Sequence, residues 1–217
     1  KQAILLAQEM RAPQSPLRAV LLAMQYDMAM GLAMTLIQGV AGAGKTTVVM
    51  KAVCMLVRLI NGEPGCETKD KFLILWTAQS HPPLDSASNA VRKLTKGMSL
   101  QMRKTFCRFL KRDSSGTHPI DVQTFDRKNR VGDADLIIIT SGGLCADSNS
   151  WPQLWGHEGR WGIHLHDEAQ QYGQVVDLDA TASTWGQAHL VLLGDPNQTP
   201  ALGNFADRVA VDWRQPV

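Results

Sequence analysis

The sequence predicts an α/β fold, a mostly parallel sheet with helices on both faces, and two observations predict it. Five short apolar runs, Thr35–Gln38, Lys71–Trp76, Asp135–Thr140, Gly162–His166 and His189–Leu193, are separated by helix-length segments. Continuous apolar strands of this kind belong to parallel sheets buried on both sides. Each run also leads into residues able to do chemistry, and ligands of such sheets bind at the carboxyl ends of the strands.

The elements follow in order. Lys1–Arg11 has a helical pattern that the Ala-Pro-Gln-Ser-Pro run at 12–16 breaks, and Leu17–Met30 resumes it. Val20–Ile37 is rich in Leu, Ala and Met, but Gln25, Asp27 and Gly31 interrupt it, so no uninterrupted apolar span is present and no membrane partner is expected. The strand Thr35–Gln38 runs into glycines and then into a second helix, Thr46–Ile60. Asn61–Gly65 carries turn chemistry before the strand Lys71–Trp76. The expected organisation is an N-terminal helical segment, 1–34, leading into one α/β domain, 35–217, with a basic insertion around 86–130.

Composition sets looser bounds. A chain of 217 residues can bury a full core, and 44% hydrophobic with 19% charged residues is ordinary for a soluble globular protein. The net charge of +2 does not by itself announce a nucleic-acid partner. The four cysteines lie far apart with no C-x-x-C, which argues for reduced thiols rather than a disulfide framework or a zinc site. With no signal-peptide pattern, an intracellular location (cytoplasmic or nuclear, not secreted) is expected. The chain opens on Lys1, and a piece of something longer is expected.

Gly39-Val-Ala-Gly-Ala-Gly-Lys-Thr46 matches the phosphate-loop pattern G-x-x-x-x-G-K-[ST], directly after a strand and before a helix. Gly39, Gly42 and Gly44 let the backbone curl so that N–H groups, those of Ala43 and Thr47 among them, face a phosphate. The following helix adds its positive end. Lys45 neutralises β/γ-phosphates and the Thr46 hydroxyl ligates Mg²⁺, so ATP and Mg²⁺ are the expected cofactors.

Two further motifs end strands. Gly162-Ile-His-Leu-His-Asp-Glu-Ala-Gln170 delivers Asp167 as a Mg²⁺ carboxylate opposite Thr46, and Glu168 as the acceptor of a proton from the attacking water. Leu190-Val-Leu-Leu-Gly-Asp-Pro-Asn-Gln198 brings Asp195 to orient nearby groups and the Gln198 amide to meet the γ-phosphate or that water.

The ordered series G-x-x-x-x-G-K-T, D-E-A-Q, G-D-x-x-Q resembles the first RecA-like motor domain of superfamily 1 helicases. Thr77-Ala-Gln-Ser-His-Pro-Pro-Leu-Asp85 looks like the A-P-S-N-x-A-V-D motif of the branch containing the nonsense-mediated-decay helicase, with Ala78, Ser80 and Asp85 at the matching spacing. Asp135-Leu-Ile-Ile-Ile-Thr140 is similar to that branch's A-D-V-I-x-x-T segment. The resemblance covers roughly Thr35 to Leu202. It implies that Ser80 and Thr140 touch the backbone of single-stranded DNA or RNA. It also implies a second RecA-like domain, in cis or in trans, with arginine fingers; Arg208 and Arg214 sit in no such motif, and the second domain is expected to be absent here. Val40 and Ala41 replace two prolines frequent in the family's loop, and the adenine-reading glutamine is either Gln14 or Gln25.

Between Arg92 and Arg112 there is no acidic residue. Arg103, Lys104 and Arg108 in this run are candidates for phosphate contacts through counterion release, against the alternative of a solvated helix face. Phe106 and Phe109, three apart, fit a helix packing face. His164 and His166 fit buried hydrogen-bonded histidines better than a metal pair, having no third ligand nearby. Trp151, Trp155 and Trp161 are expected to anchor the core or loops rather than to stack bases. The expected activity is ATP hydrolysis coupled to single-strand binding, weak in the isolated chain. A PhoH-like ATPase and a nucleotide-binding interaction module without motor activity are the alternatives.

Overall fold

The computed structural model describes residues 8, 11–12, 14–32, 34–40, 42–61, 73–96, 109–111, 123–124, 136–146, 161–171, 188–195 and 197–198. Of the helical pattern expected over 1–11, Gln8 and Arg11 are helical and the remainder lies outside these residues. The proline-rich break at 12–16 is the start of helix α1, Pro16–Ala29. Ser15 caps it, its Oγ accepting from Arg18 N at 3.3 Å, and Pro16 takes the first helical position, where its missing N–H costs nothing. Gly31 at φ 69° ends this helix.

Strand β1, Met34–Gln38, then leads into helix α2, Lys45–Asn61, and strand β2, Leu73–Ala78, into helix α3, His81–Thr95. Two short strands follow, β3 at Phe109–Lys111 and β4 at Gln123–Thr124. Strand β5, Leu136–Thr140, runs into the short helix α4, Ser141–Ala146; strand β6, Trp161–His166, ends near a 3-10 turn, Ala169–Gln171; strand β7 is His189–Gly194.

The seven strands form one sheet in the order β1-β7-β6-β2-β5-β3-β4, and every neighbouring pair is parallel. The segment expected as an insertion therefore begins inside α3, and its two described strands extend the main sheet. Phe109 lies in β3, not on a helix face, because Phe109–Lys111 pairs with Leu136–Ile138.

Alternation along the strands sorts the core into two layers. On one face Met24 of α1, Val49, Met50 and Val53 of α2, and Leu84, Ala87 and Val91 of α3 pack on Ile74, Trp76, Ile138, Leu165, Val191 and Leu193. The opposite face buries Leu75, Ile137 and Ile139. There α4 comes close enough that a Cβ on Gly143 would sit 3.1 Å from Ile139 Cγ1, and Ala169 of the 3-10 turn packs with Leu190 and Leu192. Helices thus cover both faces. Among the described strands β1 lies at the edge of the sheet, with Thr35 buried and Met34 and Leu36 exposed. Thr35 Oγ1 donates to Asp27 of α1 and lies 2.7 Å from His189 Nε2 of β7, fastening helix, edge strand and neighbour together.

The pairing registers align one rung across the sheet: Leu36, Leu192, His166, Thr77 and Ile139 stand side by side. Gly39, Asp167, Gly194 and Thr140 stand within three residues beyond this rung, at the carboxyl edge.

Candidate active site

Gly39 leaves β1 and its N–H donates to Gly194 O at 3.2 Å, so the candidate phosphate loop starts stitched to β7. Gly42 and Gly44 hold φ of 75° and 80°, the left-handed region that a side chain disfavours. A Cβ at either would meet nothing within 4 Å, so these positions need glycine for backbone conformation rather than for space. Gly39 is different: a Cβ there would lie 3.2 Å from Lys45 Cγ and Cδ. Lys45 Nζ donates to Gly39 O and, at 3.1 Å, to Val40 O, laying the ammonium across the loop. Ala43 N donates to Val40 O at 3.2 Å, and Thr47 is exposed on the first turn of α2.

β6 brings the acidic pair beside this loop. Thr46 Oγ1 donates to Asp167 Oδ2 at 3.2 Å, and Glu168 N donates to Asp167 Oδ1 at 3.0 Å. Asp167 is buried, and burial raises its pKa to about 6 against the lowering by the Glu168 N–H and the Thr46 hydroxyl. A hydroxyl and a buried carboxylate at this separation are the hard oxygen donors that Mg²⁺ takes together with substrate phosphates, and a cation there would offset the cost of the buried charge. These residues fit the metal. No group of three His, Cys, Asp or Glu able to hold a metal occurs among the described residues.

Glu168 adopts φ 61°, the one positive value at a non-glycine among the described residues. That conformation costs about 1–3 kcal/mol, and such strain clusters at functional positions.

Gln170 is the residue that sequence reasoning missed. Its Nε2 donates at 3.0 Å to Glu168 Oε2 and at 3.0 Å to Gln198 Oε1, and its Oε1 accepts from Asp195 N at 3.1 Å. One amide therefore joins Glu168 to the glutamine of the third motif. Because Gln198 Oε1 faces Gln170, the Gln198 NH₂ is left to point elsewhere. Asp195 shapes its own turn: its Oδ1 accepts from Asn197 N and its carbonyl from Gln198 N, both at 3.0 Å. The available signal for Gln170 was its position in D-E-A-Q, but its contacts reach 25 to 28 residues along the chain.

Along the carboxyl edge the strand order divides the candidates. The phosphate loop, Asp195 and the acidic pair occupy the β1-β7-β6 half. Ser80 and Thr140 follow the adjacent strands β2 and β5, where Ala78 and Thr140 are paired in register. Ser80 is exposed and makes no side-chain cap bond to α3, so the helix does not use its hydroxyl. Thr140 Oγ1 accepts from Gly143 N at 3.0 Å, tying it to α4. Arg103, Lys104 and Arg108 lie outside the described residues. His164 and His166 are buried, each with a ring nitrogen within hydrogen-bond distance of the Thr77 hydroxyl.

No family profile matches the chain, and no curated protein matches it. Among solved structures, it is similar to a hypothetical ATP-dependent RNA helicase from Sulfolobus tokodaii, with a TM-score of 0.54 and 16% identity over 89% of this chain and 50% of that one. It is also similar to the arterivirus nonstructural protein 10 helicase solved with DNA (TM-score 0.39, 16% identity, 83% of this chain and 33% of that one). A third similar structure is a nuclease-deletion mutant of the Type ISP restriction-modification enzyme LlaGI with a DNA substrate mimic (TM-score 0.48, 10% identity, 79% and 16%). The chain spans half or less of the length of each of these proteins. The sheet order, the loop after β1 and the backbone likeness to the Sulfolobus protein together assign the fold: this is a RecA-like α/β domain of the kind found in helicases.

Proposed function

We propose that the chain is the first motor domain of a superfamily 1 nucleic-acid helicase or translocase, coupling hydrolysis of Mg-ATP to the binding of single-stranded DNA or RNA. The observation that carries this reading is the continuous set of contacts from the phosphate loop to the third motif: Thr46 on Asp167, and Gln170 joining Glu168 to Gln198.

In this reading the loop N–H groups and Lys45 bind the phosphates, Lys45 exchanging its carbonyl partners in the loop for phosphate oxygens. Thr46 and Asp167 hold Mg²⁺, which when bound neutralises charge on the β/γ-phosphates. Glu168 accepts the proton of the attacking water, and Gln170 orients both its carboxylate and the Gln198 amide. Ser80 and Thr140 contact the backbone of a single strand that crosses the β2-β5 half of the edge. A second RecA-like domain, on the same protein or on a partner, supplies the arginine fingers.

Steady-state ATP hydrolysis, with and without single-stranded DNA and RNA, tests the reading. Stimulation by a single strand supports it. Hydrolysis that no nucleic acid alters favours a stand-alone ATPase, and ATP binding without turnover in the presence of the partner domain favours an interaction module.

A further inference from the structure

Thr77 stands where the two halves of the carboxyl edge meet, since β2 is bonded to β6 on one side and to β5 on the other. Its carbonyl accepts from Asp167 N at 2.8 Å. Its hydroxyl oxygen lies 2.8 Å from His164 Nε2, 3.0 Å from His166 Nδ1 and 3.4 Å from Leu165 O. Thr77 and both histidines are fully buried.

Proton counting constrains this cluster. A hydroxyl has one proton to give, and its other contacts must be bonds it accepts. Of the three partners, Leu165 O can only accept. At least one of the two ring nitrogens must then carry a proton and donate to Thr77 Oγ1. Burial, with His166 adding to it, lowers His164 to about 3, so that ring is neutral near pH 7 and carries a single N–H. Thr77 thus takes part in fixing ring tautomers as well as strand register. An apolar trio would fill the same space without the cost of burying polar groups. What the polar trio adds is a defined geometry in the residues immediately before Asp167.

We propose that Thr77 is a positioning residue for the metal-binding carboxylate: held by His164 and His166 on one side and by the Asp167 N–H on the other, it sets where β6 delivers Asp167 to Thr46. The proposal rests on the reading of Thr46 and Asp167 as the Mg-ATP site. Thr77, fully buried, would act on the metal only through Asp167.

The test measures how much Mg²⁺ tightens binding of a fluorescent ATP analogue, by titrating the chain in excess Mg²⁺ and in EDTA. Groups that orient a metal ligand are typically worth about tenfold or more in metal affinity. Thr77→Val keeps shape and main-chain carbonyl but loses the hydroxyl, so it should retain the parent's affinity in EDTA within about twofold and lose about tenfold of the Mg²⁺ gain. Thr77→Ser should keep the gain. A purely structural role would weaken both titrations together and would not separate them. If Thr77→Val is unfolded at the assay temperature by circular dichroism, His164→Leu takes its place, with the same direction of change expected. A folded variant that keeps the parent's whole Mg²⁺ gain, or that loses affinity equally in EDTA, overturns the role of Thr77 alone. A parent chain that binds no nucleotide overturns the reading of the site, and this proposal with it.

Discussion

Gly194 leaves the space that Gln170 occupies: a Cβ at position 194 would sit 2.8 Å from Gln170 Oε1 and 3.2 Å from its backbone N. The nearest atom is the far end of a flexible side chain, so Gly194→Ala should fold, with the amide displaced from Glu168, Gln198 and Asp195. The expected outcome is a fall in kcat of about tenfold or more, the scale of misplaced catalytic groups, with ATP affinity nearly unchanged. Steady-state kinetics paired with a thermal melt checks it. An unaltered kcat would remove Gln170 from the mechanism.

Lys45→Ala removes the cation that lies across the loop. Nucleotide affinity should drop by at least about tenfold, or 1.4 kcal/mol, in a direct titration. If the variant binds ATP as tightly as the parent, residues 39–46 do not hold its phosphates.

Glu168→Gln keeps the shape of the side chain and removes the base. Hydrolysis should fall by about 10²–10⁴-fold while ATP still binds. Equal turnover, measured with any partner domain present, would reject Glu168 as the proton acceptor.

The buried Asp167 makes a pH prediction. Its folded pKa, about 6, lies above the ordinary value of 3.8, so between these two values the folded chain holds the proton more tightly than the unfolded chain does. This group's contribution to stability is therefore fully present below pH 3.8 and is lost as pH rises through about 6. Without Mg²⁺, Asp167→Asn should raise the melting temperature at pH 8 and flatten this part of the pH profile. The same variant should lose the Mg²⁺-dependent gain in nucleotide affinity. A variant less stable than the parent at pH 8 in EDTA would contradict the burial argument.

For nucleic acid, Ser80→Ala is the cleaner probe, because α3 makes no use of the Ser80 hydroxyl. It should weaken single-strand binding by about 0.5–1.5 kcal/mol at unchanged stability. Thr140→Ala should lower both, since it also deprives Gly143 N of its acceptor. Neutralising Arg103, Lys104 and Arg108 together should flatten the dependence of log affinity on log salt by about two, near 0.7 for each phosphate that no longer meets a cation. Fluorescence anisotropy at several salt concentrations reads all three, and an unchanged slope returns the basic run to a solvated surface.

The parts legible in the sequence were those that need few long-range contacts. Apolar runs such as His189–Leu193 and glycines at fixed spacing, such as Gly42 and Gly44, announce strand and loop locally. Helix α3 was not assigned from the sequence, although Pro82 and Pro83 fall in its first turn, where proline is tolerated. β3 and β4, at 3 and 2 residues, are too short to establish a period. The contacts of Gln170 and the left-handed backbone of Glu168 depend on how the 3-10 turn folds over Gly194. No periodicity in the sequence encodes that approach.

The edge position of β1 has a consequence for how the protein is made. Among the described strands β1 pairs only with β7, through contacts such as Leu36 with Leu192. Strands β2, β5 and β6 all precede β7 along the chain and leave the ribosome before it. At a synthesis rate of about 5–20 residues per second, the strand carrying the phosphate loop waits roughly 8–30 s for its neighbour. During that interval Thr35 lacks His189 and Gly39 lacks the Gly194 carbonyl. Among the described strands, the edge that carries residues 39–46 is thus the part of the sheet whose partner is made last.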